Sequence, residues 1–563
     1  MYKRRLMIIA ITTYLLLIPL VTYFKYFPRI VNSEITNVFI FLLVFLLTLL
    51  LVYGTFLTGK STDVYLLLPQ SLIFIFIARA VPNLRLSYPP LHDPYYHYIC
   101  TLNILRYGTL KPILDWWYGG VDIQLHWPDM HLLTTALVHI TNTGTMQIFR
   151  FQEPVMGIMF FLAVFVLAKV VTKNEGMAMM SALFASLSDV VIFYQSEYHP
   201  QGFAIVLLIL LLYTFIKSRS VNDIRFRYVT LIFCIVFTLS HYFTPLFLAL
   251  IFGMYLMVLL IIRALSSYSP IEDKFYEIIE DIRLDYTFLM VIIISALAYH
   301  FMVYTSVVMG FIRIIFTEQP LQGQLISIGQ SNVPLLTSIL CVSKWGLFIL
   351  AIISILWIIK TKNTNEFRLA VLFVSIIVAG IIGNYVIISP LDRLIGFYVP
   401  FAAVFGSLTL FRFGDEWFNG IQKNRKVMVA VLIASILMTA GFFNSQTPAY
   451  FFQDSSVNTF YWYSNDLSSI DMYGATGKWI KVYTPIDSLY ITEFDTMMLP
   501  LYYAEGSLNN IMRITTPQGK LGGYIVMNPG IPYYYRGKDF DKRSYLSSIN
   551  ILYDNGVLIL GDR

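Results

Sequence analysis

Apolar runs alternate with short charged breaks along the first 443 positions of the chain. A helix advances about 1.5 Å per residue, so about 20 predominantly apolar residues carry it across a hydrocarbon core. Cut at its charged breaks, the chain predicts about thirteen spans on that criterion. They lie at roughly 6–24, 35–57, 63–81, 150–170, 176–193, 202–217, 227–241, 245–263, 286–305, 335–359, 368–388, 396–412 and 427–443. The apolar segment 130–148 reads as a re-entrant or interfacial helix. Two longer breaks, 82–130 and 306–334, read as outer loops. Beyond residue 444 the pattern changes. Short alternating runs such as Trp479–Val482, Leu489–Thr492 and Ile551–Leu560 are separated by Pro, Gly, Asn and Asp, and a period of two marks strands. The expected architecture is an all-α polytopic membrane domain over 1–443, followed by a small α/β or β domain over 444–563.

Lys and Arg collect in every second loop. With the N-terminal Lys3, Arg4 and Arg5 on the cytoplasmic side, the inner loops hold Lys60; Lys169 and Lys173; Lys217, Arg219, Arg225 and Arg227; Arg263, Lys274 and Arg283; Lys360, Lys362 and Arg368; and Arg412, Lys423, Arg425 and Lys426. The short turns 194–201 and 241–246 hold neither residue. This is the bias that retains positive loops inside. An odd number of spans then places the tail outside. The first apolar run is followed by no small-residue cleavage site and reads as a signal anchor. The expected location is a multi-pass protein of the cell membrane with an extracellular C-terminal domain.

Composition supports this reading. Hydrophobic residues make up 57% and charged residues 13%, about half the share of a soluble domain, and the mean hydropathy is +0.68. Membrane lipids are the implied surroundings. A nucleic-acid partner, a disordered scaffold and a cytosolic enzyme are excluded. The net charge of +6 is mostly accounted for by the orientation of the spans. Three separated cysteines supply neither a disulfide framework nor a metal-ligand spacing.

Polar chemistry gathers on the outer side. All eight histidines, His92, His97, His126, His131, His139, His199, His241 and His300, fall in outer loops or outer span ends. Asp93-Pro94-Tyr95-Tyr96-His97 follows an apolar run and begins an aromatic helix. Asp93 either caps that helix, with Pro94 at its first position, or serves as a base or metal ligand. Glu197 and His199 occupy the turn 194–201, which otherwise reads as an interfacial polar turn. His241 lies in a third outer turn. Arg393 is the basic residue at the outer end of a span. A guanidinium there suits a phosphate, or else snorkels or pairs with Asp392.

These residues resemble the GT-C superfamily of integral-membrane glycosyltransferases, and within it the catalytic subunits of oligosaccharyltransferases and related archaeal membrane proteins. Asp93-Pro94-Tyr95-Tyr96-His97 with Arg106-Tyr107-Gly108 is similar to that family's first acidic motif. Trp116-Trp117-Tyr118-Gly119 and His126-Trp127-Pro128 are similar to aromatic elements of the same loop. Gln201-Gly202-Phe203-Ala204-Ile205 is similar to the run after the second acidic motif, and Arg393 to the arginine that holds the lipid phosphate. Tyr553-Asp554-Asn555-Gly556-Val557 is similar to tails of related archaeal membrane proteins. Where the family places two acidic residues before the glycine, this chain has His199 and Gln201, with Glu197 the nearby carboxylate. The tail lacks the Trp-Trp-Asp-Tyr-Gly motif, so monosaccharide or oligosaccharide transfer is expected ahead of protein N-glycosylation.

The resemblance implies a GT-C-like membrane domain that moves a sugar from a polyprenyl (dolichyl) phosphate-linked donor to a glycan or protein acceptor on the outer face. Asp93 is then the base, Glu197 the second carboxylate, and Arg393 the ligand of the lipid phosphate. His97, His199, His241, Trp116, Trp117 and His126 are the candidate substrate contacts. A divalent metal, Mg2+ or Mn2+, would take Asp93, Glu197 and His199 as candidate ligands. Two other classes remain open on the residues: a lipid or solute transporter, and a non-catalytic membrane-anchored surface or assembly protein.

Overall fold

A computed structural model describes residues 2–26, 34–58, 62–85, 93–110, 128–195, 198–221, 223–240, 244–266, 335–358, 364–386, 391–416 and 423–444, the strands of the tail, and positions 290, 291, 294, 295 and 298. The helices are α1 (Tyr2–Tyr26), α2 (Glu34–Thr58), α3 (Leu68–Arg85, entered through a 3-10 turn Thr62–Leu67), α4 (Asp93–Tyr107), α5 (Asp129–Thr141), α6 (Thr145–Thr172), α7 (Glu175–Ser186), α8 (Asp189–Tyr194), α9 (Pro200–Val221), α10 (Ile224–Ser240), α11 (Thr244–Ser266), α12 (Leu335–Ile358), α13 (Thr364–Val386), α14 (Leu391–Glu416) and α15 (Lys423–Asn444). The chain divides into two compact units: Met1–Val81, His126–Met130 and Gln152–Phe451; and Pro82–Leu125, His131–Phe151 and Phe452–Arg563.

The first unit is an integral membrane bundle. Among the described residues, five helices are long and apolar enough to cross a bilayer: Lys3–Thr22, Val38–Thr58, Thr62–Ala80, Thr145–Thr172 and Pro200–Ser218. Helix α14 sits at its centre, against α7, α12, α13 and α15. Phe401, Ala402, Ala403, Val404, Phe405 and Leu408 on this helix are all buried, so it is apolar around its whole circumference, as a central helix must be. At the periphery Met7, Ile8, Leu15 and Ile18 of α1 are exposed, a face suited to lipid.

Ion pairs tie helix ends to one another. Lys169 bridges Glu175 at 2.8 Å and donates to the Tyr65 hydroxyl at 2.9 Å. Arg412 pairs with Glu366 at 2.8 Å, with its guanidinium 4.2 Å from the Trp357 ring centre.

The span expected over 176–193 is not one helix. It breaks at Leu187–Ser188 into α7 and α8. The Asp189 carboxylate accepts from the Val190 amide at 2.8 Å and from the Ser188 hydroxyl at 3.3 Å. Short polar side chains compete in this way with the helical backbone. The segment 130–148 is likewise α5 plus the first turn of α6. The span expected at 286–305 falls largely outside the described residues, and the loop 306–334 wholly so.

In the second unit, strands β1 (Tyr490–Thr492), β2 (Ile511–Arg513), β3 (Tyr524–Met527), β4 (Tyr533–Tyr535), β5 (Lys538–Phe540), β6 (Asn550–Asp554) and β7 (Ile559–Asp562) are described. Five form a sheet in the order β2-β1-β3-β7-β6, and β4 and β5 form a hairpin. The β1–β2 and β1–β3 pairs are parallel; β7 runs antiparallel to β3 and β6. The single run expected at Ile551–Leu560 holds two antiparallel strands, β6 and β7, and residues 555–558 between them lie outside the described residues. The strand expected at Trp479–Val482 lies outside the described residues.

Candidate functional site

Arg79 lies near the end of the third span and is fully buried, at 0% exposure. Its Nε donates to Gln195 Oε1 at 2.9 Å. One terminal nitrogen donates to the Ser186 carbonyl at 2.9 Å, the other to the Ile75 carbonyl at 3.2 Å. The guanidinium thus ties α3 to the end of α7 and to the turn after α8. It fits because position 157 of α6 is glycine: a Cβ there would overlap Arg79 Cδ and Nε and lie 3.1 Å from Cζ.

One helical turn before Gly157, Glu153 is also fully buried. The Gln195 side-chain nitrogen beside it is buried without a partner. The groups that act on this carboxylate are the Arg79 guanidinium and the His199 backbone amide. Opposite it stands Gly202, where a Cβ would meet the Tyr194 carbonyl and lie 2.8 Å from Glu153 Oε2. The polar cluster therefore lies against Tyr194 and Gln195 at the end of α8 and against the first turn of α9.

Above it, His199 caps α9. Its Nδ1 accepts from the Gln201 amide at 3.2 Å, Pro200 opens the helix, and Tyr194 packs edge-on against the imidazole, centroids 5.2 Å apart. Proline suits a first helical position because its missing N–H would have no partner there. The Tyr198 hydroxyl donates to the Met130 carbonyl at 3.1 Å. That contact brings the start of α5 beside the turn. Asp129, which opens α5, has one carboxylate oxygen buried without a partner, and burial pushes its pKa up to about 7.

The start of α14 reaches the same turn. A Cβ on Gly396 would lie 3.0 Å from Ile205, 3.6 Å from Val190 and 3.7 Å from Tyr194. Gly396 follows Arg393 by three residues, so the backbone of Arg393 stands one helical turn from the Tyr194 turn.

In the second unit, α4 begins at Asp93, where the Asp-Pro pair placed a helix start. His97 on α4 and His131 on α5 are both buried, with His97 Nδ1 and His131 Nε2 3.1 Å apart. The Tyr98 ring meets Phe149 edge-on at 5.1 Å. His97 thus stands in a closed histidine pair.

Glu197, His241, Trp116, Trp117 and His126 lie outside the described residues, and Asp93 and Arg393 are described as helix positions only. Among the described residues no three His, Cys, Asp or Glu side chains group as a metal site. A metal taken by His199 through Nε2 would require Nδ1 to carry the proton, and Nδ1 is the atom that accepts the Gln201 amide. Hard divalent ions, moreover, prefer oxygen donors to imidazole.

Arg79, Glu153, Gln195 and Asp129 were not among the residues singled out by sequence. For Arg79 and Glu153 a signal existed: each is a charged residue inside an otherwise apolar run, and such residues usually mark a function. For Gln195 and Asp129 the signal is tertiary.

No family model matches the chain, and no curated protein matches it in sequence. Its fold is similar to the crystal structure of ArnT from Cupriavidus metallidurans bound to undecaprenyl phosphate, at a TM-score of 0.52 and 10% identity, over 88% of this chain and 97% of that one. The apo structure of the same protein gives a TM-score of 0.51 at 10% identity, over the same shares. The likeness is one of fold, and it is the GT-C fold that the motifs resemble.

Proposed function

We propose that the chain is a membrane glycosyltransferase that moves a sugar from a polyprenyl-phosphate-linked donor to an acceptor on the extracytoplasmic face of the cell membrane. One observation carries this reading: nearly the whole chain shares its fold with a protein whose structure was solved with undecaprenyl phosphate bound. The motifs around Asp93, Gly202 and Arg393 add to it.

The chemistry follows from the groups. The lipid phosphate is an anionic leaving group at the membrane surface and needs a cation. Arg79 is buried, with its guanidinium committed to Gln195, Ser186 and Ile75, so it cannot reach a lipid headgroup. Arg393, at the start of α14, is the arginine assigned to the phosphate. Asp93, with Glu197 as the second carboxylate, accepts the proton of the acceptor hydroxyl as that oxygen attacks the anomeric carbon. The bond from that carbon to the phosphate oxygen breaks, the anomeric centre inverts, and no covalent enzyme intermediate forms. General-base help of this kind is worth about 10²–10⁴-fold, and stabilising the departing phosphate with a fixed charge adds to it. A divalent ion, where bound, would be held by Asp93 and Glu197 and would supply further positive charge at the phosphate.

The test is transfer from a polyprenyl-phosphate sugar in proteoliposomes. Asp93→Asn lowers kcat by at least about 100-fold in protein that still inserts and stays monodisperse. Arg393→Ala raises the KM for lipid donor. Full activity in Asp93→Asn removes that residue from the chemistry, and an unchanged donor KM reduces Arg393 to a membrane anchor.

A further inference from the structure

We propose that one face of the five-stranded sheet in the C-terminal tail is a binding site for a neutral glycan, with Tyr490, Tyr524, Tyr553, Asp562 and Asn550 as its binding residues. Its part as the acceptor site rests on the glycosyltransferase reading; the binding itself does not.

The register places these residues. Laterally paired residues share a face of a sheet, and successive residues along a strand alternate between faces. Ile511, Tyr490, Tyr524, Asp562 and Asn550 pair across the five strands as one row. Arg513, Thr492, Val526, Leu560 and Tyr553 form a second row on the same face. The row between them, Met512, Ile491, Ile525, Gly561 and Ile551, belongs to the opposite face, as do Met527, Ile559 and Asp554. Polar residues thus collect on one face and apolar residues on the other, with Asp554 the exception. A sheet buried on both sides reads as continuous apolar runs, whereas this division is that of a sheet with one covered side.

A break in β6 adds to the polar face. Asn550 and Tyr553 are three residues apart, which in a regular strand puts them on opposite faces. The register shift between Ile551 and Tyr553 brings both to the same face. Bulges commonly re-aim a residue in this way beside functional sites.

Residue type then selects the ligand. The two rows hold three tyrosines and neither lysine nor glutamate, the residues that usually keep a strand face in water. Tyr490 and Tyr524 are direct neighbours on β1 and β3, and Asp562 and Asn550 continue the row on β7 and β6. Four adjacent strands span about 14 Å at about 4.8 Å per step, room for a short oligosaccharide. An aromatic ring suits the C–H face of a pyranose, and a carboxylate beside an amide offers acceptors and donors for its hydroxyls. The row carries the single negative charge of Asp562, and Arg513 lies three strands away at the β2 edge. That balance disfavours phosphorylated, sulfated or uronic-acid ligands and leaves a neutral, hydroxyl-rich one.

The experiment uses the full chain in lipid nanodiscs. Maltotriose, mannotriose and chitotriose are the neutral probes, and trigalacturonate and an Asn-Ala-Thr peptide are the alternatives. Saturation-transfer NMR detects binding and calorimetry measures it. At least one neutral trisaccharide should bind the parent, with an affinity unchanged between about 0.05 and 0.5 M salt. Tyr490→Thr combined with Tyr524→Thr, a residue suited to strands, should weaken that binding about tenfold or more. Asp562→Asn, which is isosteric, should weaken it severalfold, and it decides alone should the double variant unfold. In transfer assays the same variants raise the KM for acceptor glycan and leave that for lipid donor unchanged. Absence of binding by every neutral trisaccharide overturns the inference, as does preference for trigalacturonate or the peptide, or parent-like affinity in folded variants. Glycan binding without transfer from any polyprenyl-phosphate donor sinks the functional reading alone, and transfer without glycan binding sinks only the role given to the sheet.

Discussion

Asp129 has one oxygen buried without a partner where α5 starts. Burial disfavours its charged form and raises its pKa from 3.8 to about 7. Between these values the folded protein binds more protons than the unfolded chain. Stability should therefore fall as pH rises from about 4 to about 7, and level off above that. Discounted for partial exposure, the change is on the order of 1–3 kcal/mol. Asp129→Asn should flatten the pH dependence of the unfolding temperature in that window; an unaltered slope would mean that the carboxyl is solvated. At this scale sequence is a partial guide. Asp93 and Arg393 stand out because they flank apolar runs next to proline and aromatic residues, and Asp93 does open a helix. Asp129 does not stand out, since its environment is made by Tyr198 reaching the Met130 carbonyl from a different part of the chain.

Helix α6 shows two opposing effects at one position. Glycine in a helix interior is about 1 kcal/mol less favourable than alanine, so Gly157→Ala should stabilise α6 taken alone. The added Cβ would overlap Arg79 Cδ and Nε, and Arg79 is fully buried and hydrogen-bonded to three residues. Overpacking a closed site costs about 1–3 kcal/mol, so the net effect is destabilising. The unfolding temperature should drop, and the α3–α6 packing should loosen in hydrogen exchange. An unfolding temperature above the parent's would show that Arg79 can move aside. The elements themselves were largely legible: α1, α2, α6, α9 and α11 to α15 lie where long apolar runs fall between charges. What the period could not reveal was the break between α7 and α8. Leu187, Ser188 and Asp189 interrupt an apolar run without a proline or a charge cluster, and Gly441 of α15 comes so close to the Leu187 carbonyl that a Cβ there would collide with it.

The whole molecule raises a question of parity. Helix α7 has 12 residues and α8 has 6, or about 18 Å and 9 Å at 1.5 Å per residue. Neither crosses a core of about 30 Å, while together they nearly do. The expected topology counts the two as one bent crossing. The alternation of basic and non-basic loops is kept: Lys169 and Glu175 pair before this crossing, and the turn that holds Glu197 and His199 follows it without Lys or Arg. On the basic-loop bias, that turn and the tail from 444 are expected on the outer face. A membrane-impermeant maleimide on intact cells should label Ser196→Cys and a cysteine at Thr447, while Lys362→Cys should react only after permeabilisation. Labelling of the tail without the turn would break the parity between 197 and 444 and place the two carboxylates, the arginine and the tail on different faces. A single outer site for transfer from lipid phosphate would then be ruled out. Labelling of both, with Lys362→Cys protected, would put the turn and the start of α14 on the face where a polyprenyl-phosphate headgroup and an external acceptor can meet.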